Sequence, residues 1–487
     1  MKLSELAQRI PGAERRGDVD VLRAVHDSRR VRAGDLFVAL SGTKIDGHRF
    51  VAAALGSGAA AVIVERPVEL PGQPPMLIVP DAREALALAS HALAGDPTNR
   101  LTVCGVTGTS GKTTTTYVIR SIFERAGWPT GLIGTIAYLI GRREIPSSMT
   151  TPDSNELAGY FAQMVESGLR AAVMEVSSHA LDQRRTAGIR FAVGAFTNLS
   201  DEHRDYHLNM EHYRDAKGRL FSGLDPAAWA VLNRDDPISE HYVFGRKDHL
   251  LWYGMENPAD VTAEDVEVTL SGSRFTLVTP RGHVKVFVPL IGRHNVQNCL
   301  TAAAVAETLA IPLATIAEGL ERLETVRGRL EIVPTDRPIS VLVDYAHKTD
   351  ALRHVLSTVR GLKGNGRLIC VFGCGGNRDR LKRPEMAGVA EEFADRVIVT
   401  SDNPRNEAPQ AIADEILAGF ASMAKVTVEL DRRAAITMAI DEARPGDVVV
   451  IAGKGHETYQ IVGDVAKDFD DREVAAEVLR QLATRPA

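Results

Sequence analysis

Apolar residues in this chain gather into short β-prone runs separated by longer stretches with helical spacing. Residues 101–106 predict a buried strand, and Val118, Ile119, Ile122, Phe123 and Ala126 then recur on one helical face until Gly127 closes the helix. Upstream, DLFVAL (within residues 26–50), 59–65 and 75–80 predict strands and 82–94 an Ala-rich helix. Gly95-Asp96-Pro97-Thr98 breaks the pattern as a linker. Downstream, AAVMEV (171–176), FAVGAFTNL (191–199) and AWAVLN (228–233) predict buried strands, and 295–309 a helix. From about 327 a third series follows: VLVDYA, RLICVFG, RVIVTS, KVTVEL and DVVVIAG, with helices between. This alternation predicts an α/β protein with mainly parallel sheets and ligands at the strand C-terminal ends. The expected domains are 1–98, 99–326 and 327–487, the last doubly wound and Rossmann-like.

Composition narrows the class. The chain has 487 residues, 44% hydrophobic and 25% charged, values of a soluble globular protein too long for one core. A net charge of −6 without basic runs argues against a nucleic-acid partner. Cys104, Cys299, Cys370 and Cys374 show neither zinc spacing nor a paired framework, which suits a reducing cytoplasm. The start, MKLSELAQRIPG, lacks the apolar core of a signal peptide, and no run reaches the roughly 18 apolar residues of a membrane span. A cytoplasmic protein is expected. No repeat or heptad run is present.

The densest chemistry lies at LTVCGVTGTSGKTTTTYVIRSIFERAGW, beginning at Leu101. A strand, a glycine loop, Gly111-Lys112-Thr113 and a helix make a phosphate-binding loop, in which backbone N–H groups and the helix N-terminus cradle phosphates. Gly108, Thr109, Ser110, Gly111, Lys112, Thr113 and Thr114 are its ATP-binding candidates. Lys112 would reach the β/γ-phosphates and Thr113 would hold Mg²⁺. One detail departs from the G-x-x-x-x-G-K-S/T pattern: Val106 stands where the first glycine belongs, and Gly105 comes one position early. The bland alternative, an ordinary Gly-rich turn, fits the flanking strand and helix less well.

Other polar residues cluster where the strands end. Glu175 closes AAVMEV ahead of Ser177-Ser178-His179; Asp201-Glu202-His203 and Asp205-Tyr206-His207 follow FAVGAFTNL; Lys217 lies in HYRDAKGRLF. A carboxylate and an imidazole at strand ends could complete a Mg²⁺ shell begun by Thr113 and phosphate oxygens. Singly, each has a duller reading as a cap, a loop histidine or a solvated lysine; behind a phosphate loop the functional one is favoured.

These residues, with GVTGTSGKTTTT, MTTPDS, MEVSSHALDQRR, TNLSDEHRDYH, AKGRLF, GRHNVQN, VDYAH, VFGCGGNRDRLKRP, SDNPR and AGKGHE in order, resemble the Mur ligase family along the whole chain. The nearest likeness is to members that add diaminopimelate to UDP-N-acetylmuramoyl-L-alanyl-D-glutamate. The resemblance implies a UDP-substrate domain, a central ATPase domain and a C-terminal amino-acid domain. It assigns Ser28 and Thr43-Lys44-Ile45 to the uridine end of the substrate, and Thr150, Thr151, Ser177, Gln183 and Arg185 to its muramoyl-peptide end. Asn295, Arg329, Asp344 and His347 would contact ATP. Thr113, Glu175, His203 and Lys217 would serve the metal, with Lys112, Lys217 and His203 catalytic and Lys217 carbamylated. Arg378, Asp402, Asn403, Pro404, Arg405, Gly453 and Glu457 would hold the incoming amino acid. Departures from the family pattern are Glu202 before His203, Arg327 in place of a proline, Lys348-Thr349 after DYAH, and Asn377 in GGNRD.

The implied reaction activates a carboxylate as an acyl phosphate with ATP and Mg²⁺; an amine then forms the amide. That amine must be neutral, and the sequence identifies no base for it. The expected partners are small molecules, with no nucleic acid or membrane, and the expected state is a monomer. Arg405 favours diaminopimelate, with lysine or ornithine as alternatives, since a guanidinium forks onto a distal carboxylate. Pairing of Arg405 with Glu407 is the structural alternative. More distant alternatives are a folylpolyglutamate synthase-like ligase, disfavoured by the N-terminal domain and SDNPR, and a nucleotide switch, disfavoured by the absence of N-K-x-D.

Overall fold

The computed structural model describes residues 1–487 apart from 43–44, 203–205 and 484–487. The chain is α/β and divides into two compact units. One comprises residues 1–264, 276–285 and 297–322, the other 265–275, 286–296 and 323–487.

The first unit contains two sheets. Strands β1 (Glu14–Arg16), β2 (Ala24–Val25), β3 (Leu36–Val38), β4 (Ala61–Val64) and β5 (Met76–Ile78) form a sheet in the order β1-β5-β4-β3-β2. It is parallel except for β1, which pairs antiparallel with β5. The eight-stranded sheet uses β6 (Thr102–Thr107), β7 (Thr130–Ile133), β8 (Ala137–Ile140), β9 (Arg143–Pro146), β10 (Ala171–Glu175), β11 (Phe191–Phe196), β12 (Trp229–Asn233) and β13 (Leu250–Tyr253). Its order is β13-β12-β11-β6-β10-β7-β8-β9, parallel from β13 to β7 with an antiparallel β7-β8-β9 edge. Strand β6 lies between β11 and β10, so the loop after it opens where three parallel strands end, the usual ligand edge of such sheets.

β14 (Thr262–Thr269), β15 (Gly272–Thr279) and β16 (Gly282–Val288) make a three-stranded sheet. In the second unit β17 (Glu331–Val333), β18 (Ser340–Asp344), β19 (Leu368–Phe372), β20 (Arg396–Val399), β21 (Val426–Val428) and β22 (Val448–Ala452) pair in the order β17-β18-β22-β19-β20-β21. All these pairs are parallel except β17 with β18. Alternate residues of β19 enter different cores: Leu368, Cys370 and Phe372 on one face, Ile369 and Val371 on the other. Helices cover both faces, which is why the strand is apolar throughout. A hairpin of β23 (Tyr459–Val462) and β24 (Val465–Asp468) follows. No described helix is long and apolar enough to cross a membrane.

Candidate active site

Glycine geometry builds the phosphate loop. β6 ends at Thr107; Gly108 and Gly111 take φ of +149° and +84°, and the helix Lys112–Arg125 begins directly after. A Cβ at Gly108 would lie 1.9 Å from Thr197 Oγ1, and one at Gly111 2.3 Å from Asn298 Oδ1. The early Gly105 belongs to the strand, where a Cβ would meet the Phe191 ring at 2.7 Å. That packing accounts for the glycine at 105, which is a strand residue and not part of the loop. Asn198 braces the loop, its carbonyl accepting from Thr109 N–H and its Oδ1 from Ser110 N–H. Lys112 Nζ donates to the carbonyls of Gly108 and Thr109, each at 2.8 Å. Thr113 and Thr114 are buried in the first helical turn.

Register sets Glu175 beside the loop, since it pairs with Val106 at the end of β6. Its carboxylate, 1% exposed, accepts from Thr135 N–H at 2.7 Å and Thr135 Oγ1 at 3.0 Å. A carboxylate only accepts, so the Thr135 hydroxyl proton points at Glu175 and Thr150, 3.0 Å away, donates to Thr135. Two of roughly four lone-pair directions remain for a ligand. Glu175 and the Thr113 hydroxyl are hard oxygen donors of the kind Mg²⁺ takes, so they fit that ion. Among the described residues no three His, Cys, Asp or Glu side chains gather as a metal site; His203 lies outside them.

Lys217 is not a surface lysine. It is 1% exposed on the helix Met210–Ser222, on the face shared with Tyr213, Leu220 and Phe221. Its Nζ lies over the Tyr213 ring and donates to the Gly108 carbonyl at 2.8 Å, the same oxygen that Lys112 uses. Burial first, and then the neighbouring Lys112 charge, push its ammonium well below the ordinary lysine value.

The five residues expected at the muramoyl-peptide end come together. Thr151 Oγ1 donates to the Glu175 carbonyl at 2.9 Å and accepts from Ser177 N–H at 3.0 Å. Arg185 donates to the Thr151 carbonyl at 2.8 Å and to Gln183 Oε1, and pairs with Asp153 at 3.3 Å. Thr150 joins through Thr135. Ser28 opens a short 3₁₀ turn capped by Asp27. Nearby residues His26, Asp27, Met149, Asp153 and Asn155 line a cavity of about 460 Å³. Two buried polar atoms on that wall, His26 Nδ1 and Asn155 Oδ1, have no protein partner. Thr43 and Lys44 lie outside the described residues, and Ile45 is exposed.

In the second unit the expected residues form two adjoining groups. Asp344 is buried, its oxygens accepting from Leu330 N–H and Ala346 N–H at 2.7 and 2.8 Å, and burial raises its carboxyl. It thereby ties the Arg329 loop to the His347 loop. The Arg329 guanidinium lies over the Tyr345 ring, which also packs on His347 and His456. His347 donates through Nδ1 to the Tyr345 carbonyl, and burial pushes it down to about 4, so it is neutral near pH 7. Asn295 donates to the Ile291 carbonyl at 2.9 Å.

Asn403 binds Glu457 at 2.9 Å, and a Cβ at Gly453 would lie 3.5 Å from Asp402 Oδ2. The Pro404 carbonyl abuts Gly376, where a Cβ would approach to 1.9 Å. Arg405, at φ +51°, donates to the Gly376 carbonyl at 2.8 Å. A Cβ on Gly375 would sit 3.0 Å from Arg405 Nη1 and 3.6 Å from Arg378 Cγ, so both arginines border that glycine. The Glu407 carboxylate goes elsewhere, to Arg383 at 2.9 Å and to Asn377 N–H. Burial, then the nearby Asp402 charge, raise the Glu457 carboxyl. Sequence reading missed Thr135, Asn298, His26, Asn155 and Lys454; Thr135 meets Glu175, His26 meets Asp153 and Lys454 meets Asp402 and Asn403, all far along the chain.

Fold and loop define a phosphate-loop nucleotide-binding α/β protein. The Mur ligase family catalytic domain matches residues 25–94, the Mur ligase middle domain 106–306, and the Mur ligase glutamate ligase domain 328–455. The chain is 45% identical over 491 residues to the UDP-N-acetylmuramoyl-L-alanyl-D-glutamate–2,6-diaminopimelate ligase of Bacillus licheniformis, covering 99% of this chain and 100% of that protein. A solved structure bearing the same enzyme name is 33% identical with TM-score 0.73, covering 96% of each chain. The MurF ligase of Thermotoga maritima, solved with ADP, shares the fold at TM-score 0.59 and 21% identity, over 94% of this chain and 96% of that one. The chain therefore belongs to the Mur ligase family.

Proposed function

We propose that this protein is an ATP-dependent amide ligase that joins meso-diaminopimelate to UDP-N-acetylmuramoyl-L-alanyl-D-glutamate in peptidoglycan precursor synthesis. The full-length match to a relative of that name carries the reading. In it, segments 1–98, 99–326 and 327–487 bind the UDP substrate, ATP and the amino acid, and the protein works as a cytoplasmic monomer.

The glutamyl carboxylate attacks the γ-phosphorus, ADP leaves, and the acyl phosphate so formed is captured by the amine with loss of phosphate. Lys112 swings from the loop carbonyls onto the phosphates, trading carbonyl dipoles for full negative charge. Thr113 and Glu175, with His203, would hold Mg²⁺, which offsets phosphate charge when bound. Thr135 fixes the Glu175 carboxylate, and Arg185 with Thr151 and Ser177 orients the peptide end. His26 and Asn155 face the nucleotide end.

Lys217 carries a carbamate in this reading. Its uncharged nitrogen adds to the carbon of CO₂, one C=O electron pair moves to oxygen, and the N–H proton leaves to solvent. An anionic carboxylate then replaces a cation that crowds Lys112. Arg405 and Arg378 take the distal carboxylate of diaminopimelate, and Asp402 with Glu457 take its ammonium.

The test is ADP release by the purified protein with each substrate omitted in turn. Turnover is expected only when ATP, the UDP-muramoyl-dipeptide and diaminopimelate are all present. Equal ADP release without the dipeptide refutes the reading.

A further inference from the structure

Lys454 has no place in that mechanism, yet its side chain is wholly buried. Its Nζ donates to Asn403 Oδ1 at 2.9 Å and the Tyr459 carbonyl at 2.7 Å, and pairs with Asp402 at 3.3 Å and Glu457 at 3.6 Å. Two donors, Lys454 Nζ and Ile461 N–H at 3.0 Å, meet Asn403 Oδ1, which fixes the amide with its NH₂ toward Glu457.

The same ammonium anchors β23 through Tyr459, and β23 runs along the 402–405 loop. Gln460 Nε2 donates to the Asp402 carbonyl at 2.7 Å. Arg405 N–H donates to the Ile461 carbonyl at 3.0 Å, and Gly463 N–H to the Arg405 carbonyl at 2.8 Å. Arg405 thus has both backbone groups bound, in a left-handed conformation that a non-glycine residue rarely adopts.

We propose that Lys454 is the positioning residue of the amino-acid site, clamping strand β23 against the 402–405 loop and so aiming Arg405 and Glu457 at the two ends of a diamino diacid. This rests on the proposed assignment of that site. Lys454 touches no substrate; it acts through Asn403, Glu457 and the backbone of Arg405. Without it Asp402 and Glu457 lose the buried cation between them, and Asn403 loses one of the two donors that set its amide.

The test is steady-state kinetics of the full-length enzyme and of Lys454→Met, Lys454→Arg and Gln460→Ala, with diaminopimelate and with lysine. Lys454→Met is expected to raise the diaminopimelate KM at least about tenfold, equivalent to about 1.4 kcal/mol, and to shrink the preference over lysine similarly. The KM values for ATP and the UDP substrate should stay within about twofold, a split that general loosening of the fold would not give. Lys454→Arg should recover part of the loss, and Gln460→Ala should show it in smaller measure. If Lys454→Met does not melt cooperatively, Gln460→Ala decides. Unchanged amino-acid KM and preference in the deciding variant, or equal rises in all three KM values, overturn the inference. A wild type that uses lysine as readily as diaminopimelate refutes the amino-acid assignment instead, and the KM of its accepted amino acid then reads the positioning.

Discussion

Replacing Lys217 with methionine should destroy activity without costing stability. Lys217 Nζ and Lys112 Nζ each lie 2.8 Å from the Gly108 oxygen. They are therefore at most about 5.6 Å apart, and without CO₂ Lys217 escapes a repulsion of about 3 kcal/mol, for two ammonium charges at an effective dielectric of about 20, only by giving up its proton in the fold. Desolvation of the buried Lys217 adds to this cost, and methionine fills nearly the same volume with neither penalty. Lys217→Met should keep or raise Tm relative to wild type kept free of CO₂, the pattern of a site whose function opposes its stability. Turnover should fall at least about 10–100-fold, the scale seen when groups supporting a metal site are removed. Wild-type protein in ¹³C-bicarbonate should give a carbamate carbon signal that Lys217→Met lacks, and short carboxylates should raise the activity of Lys217→Ala. Near-normal turnover of a folded Lys217→Met, or no carbamate signal in active wild type, refutes the reasoning.

Gly111→Ala forces a Cβ onto Asn298 Oδ1 and a left-handed conformation costing about 1–2 kcal/mol; the ATP KM should rise at least about tenfold with binding of the UDP substrate retained by calorimetry. Arg405→Ala should cut the kcat/KM preference for diaminopimelate over lysine by roughly 2–5 kcal/mol, and an unchanged ratio removes Arg405 from specificity. His91, 1% exposed with neither ring nitrogen bonded, is pushed by burial from 6.5 down to about 4. Only the unfolded chain takes up its proton between those values, so stability present above pH 6.5 is lost as pH falls toward 4, by about 3 kcal/mol. His91→Leu should flatten that limb in urea titrations, and an unchanged slope contradicts the assignment.

The buried strands were legible because helices cover both faces of the central sheets and leave continuous apolar runs, as in β6, β10, β19 and β22. The edges were not. β1 reads Glu14-Arg15-Arg16, each of them exposed, and joins its sheet through backbone pairing with β5 alone. β14 is polar at most positions, and β17 is three residues long. The glycine loop was legible since its geometry is local. Lys217 was only half so: the spacing Tyr213, Lys217, Leu220 places it on an apolar helical face, but that Lys112 shares its acceptor follows from tertiary packing. Thr135 serves a carboxylate forty residues away, where no local pattern points to it, and Lys454, though inside AGKGHE, meets Asp402 and Asn403 only through tertiary packing.

The central claim is that the glutamyl carboxylate is activated by phosphorylation, and isotope transfer tests it most directly. The UDP-muramoyl-dipeptide is prepared with ¹⁸O in the glutamyl side-chain carboxylate and turned over with ATP and diaminopimelate, and the released phosphate is analysed by mass. An acyl phosphate carries one carboxylate oxygen away as phosphate, so one ¹⁸O per phosphate is predicted for each amide formed. Unlabelled phosphate accompanying labelled amide product would contradict the account.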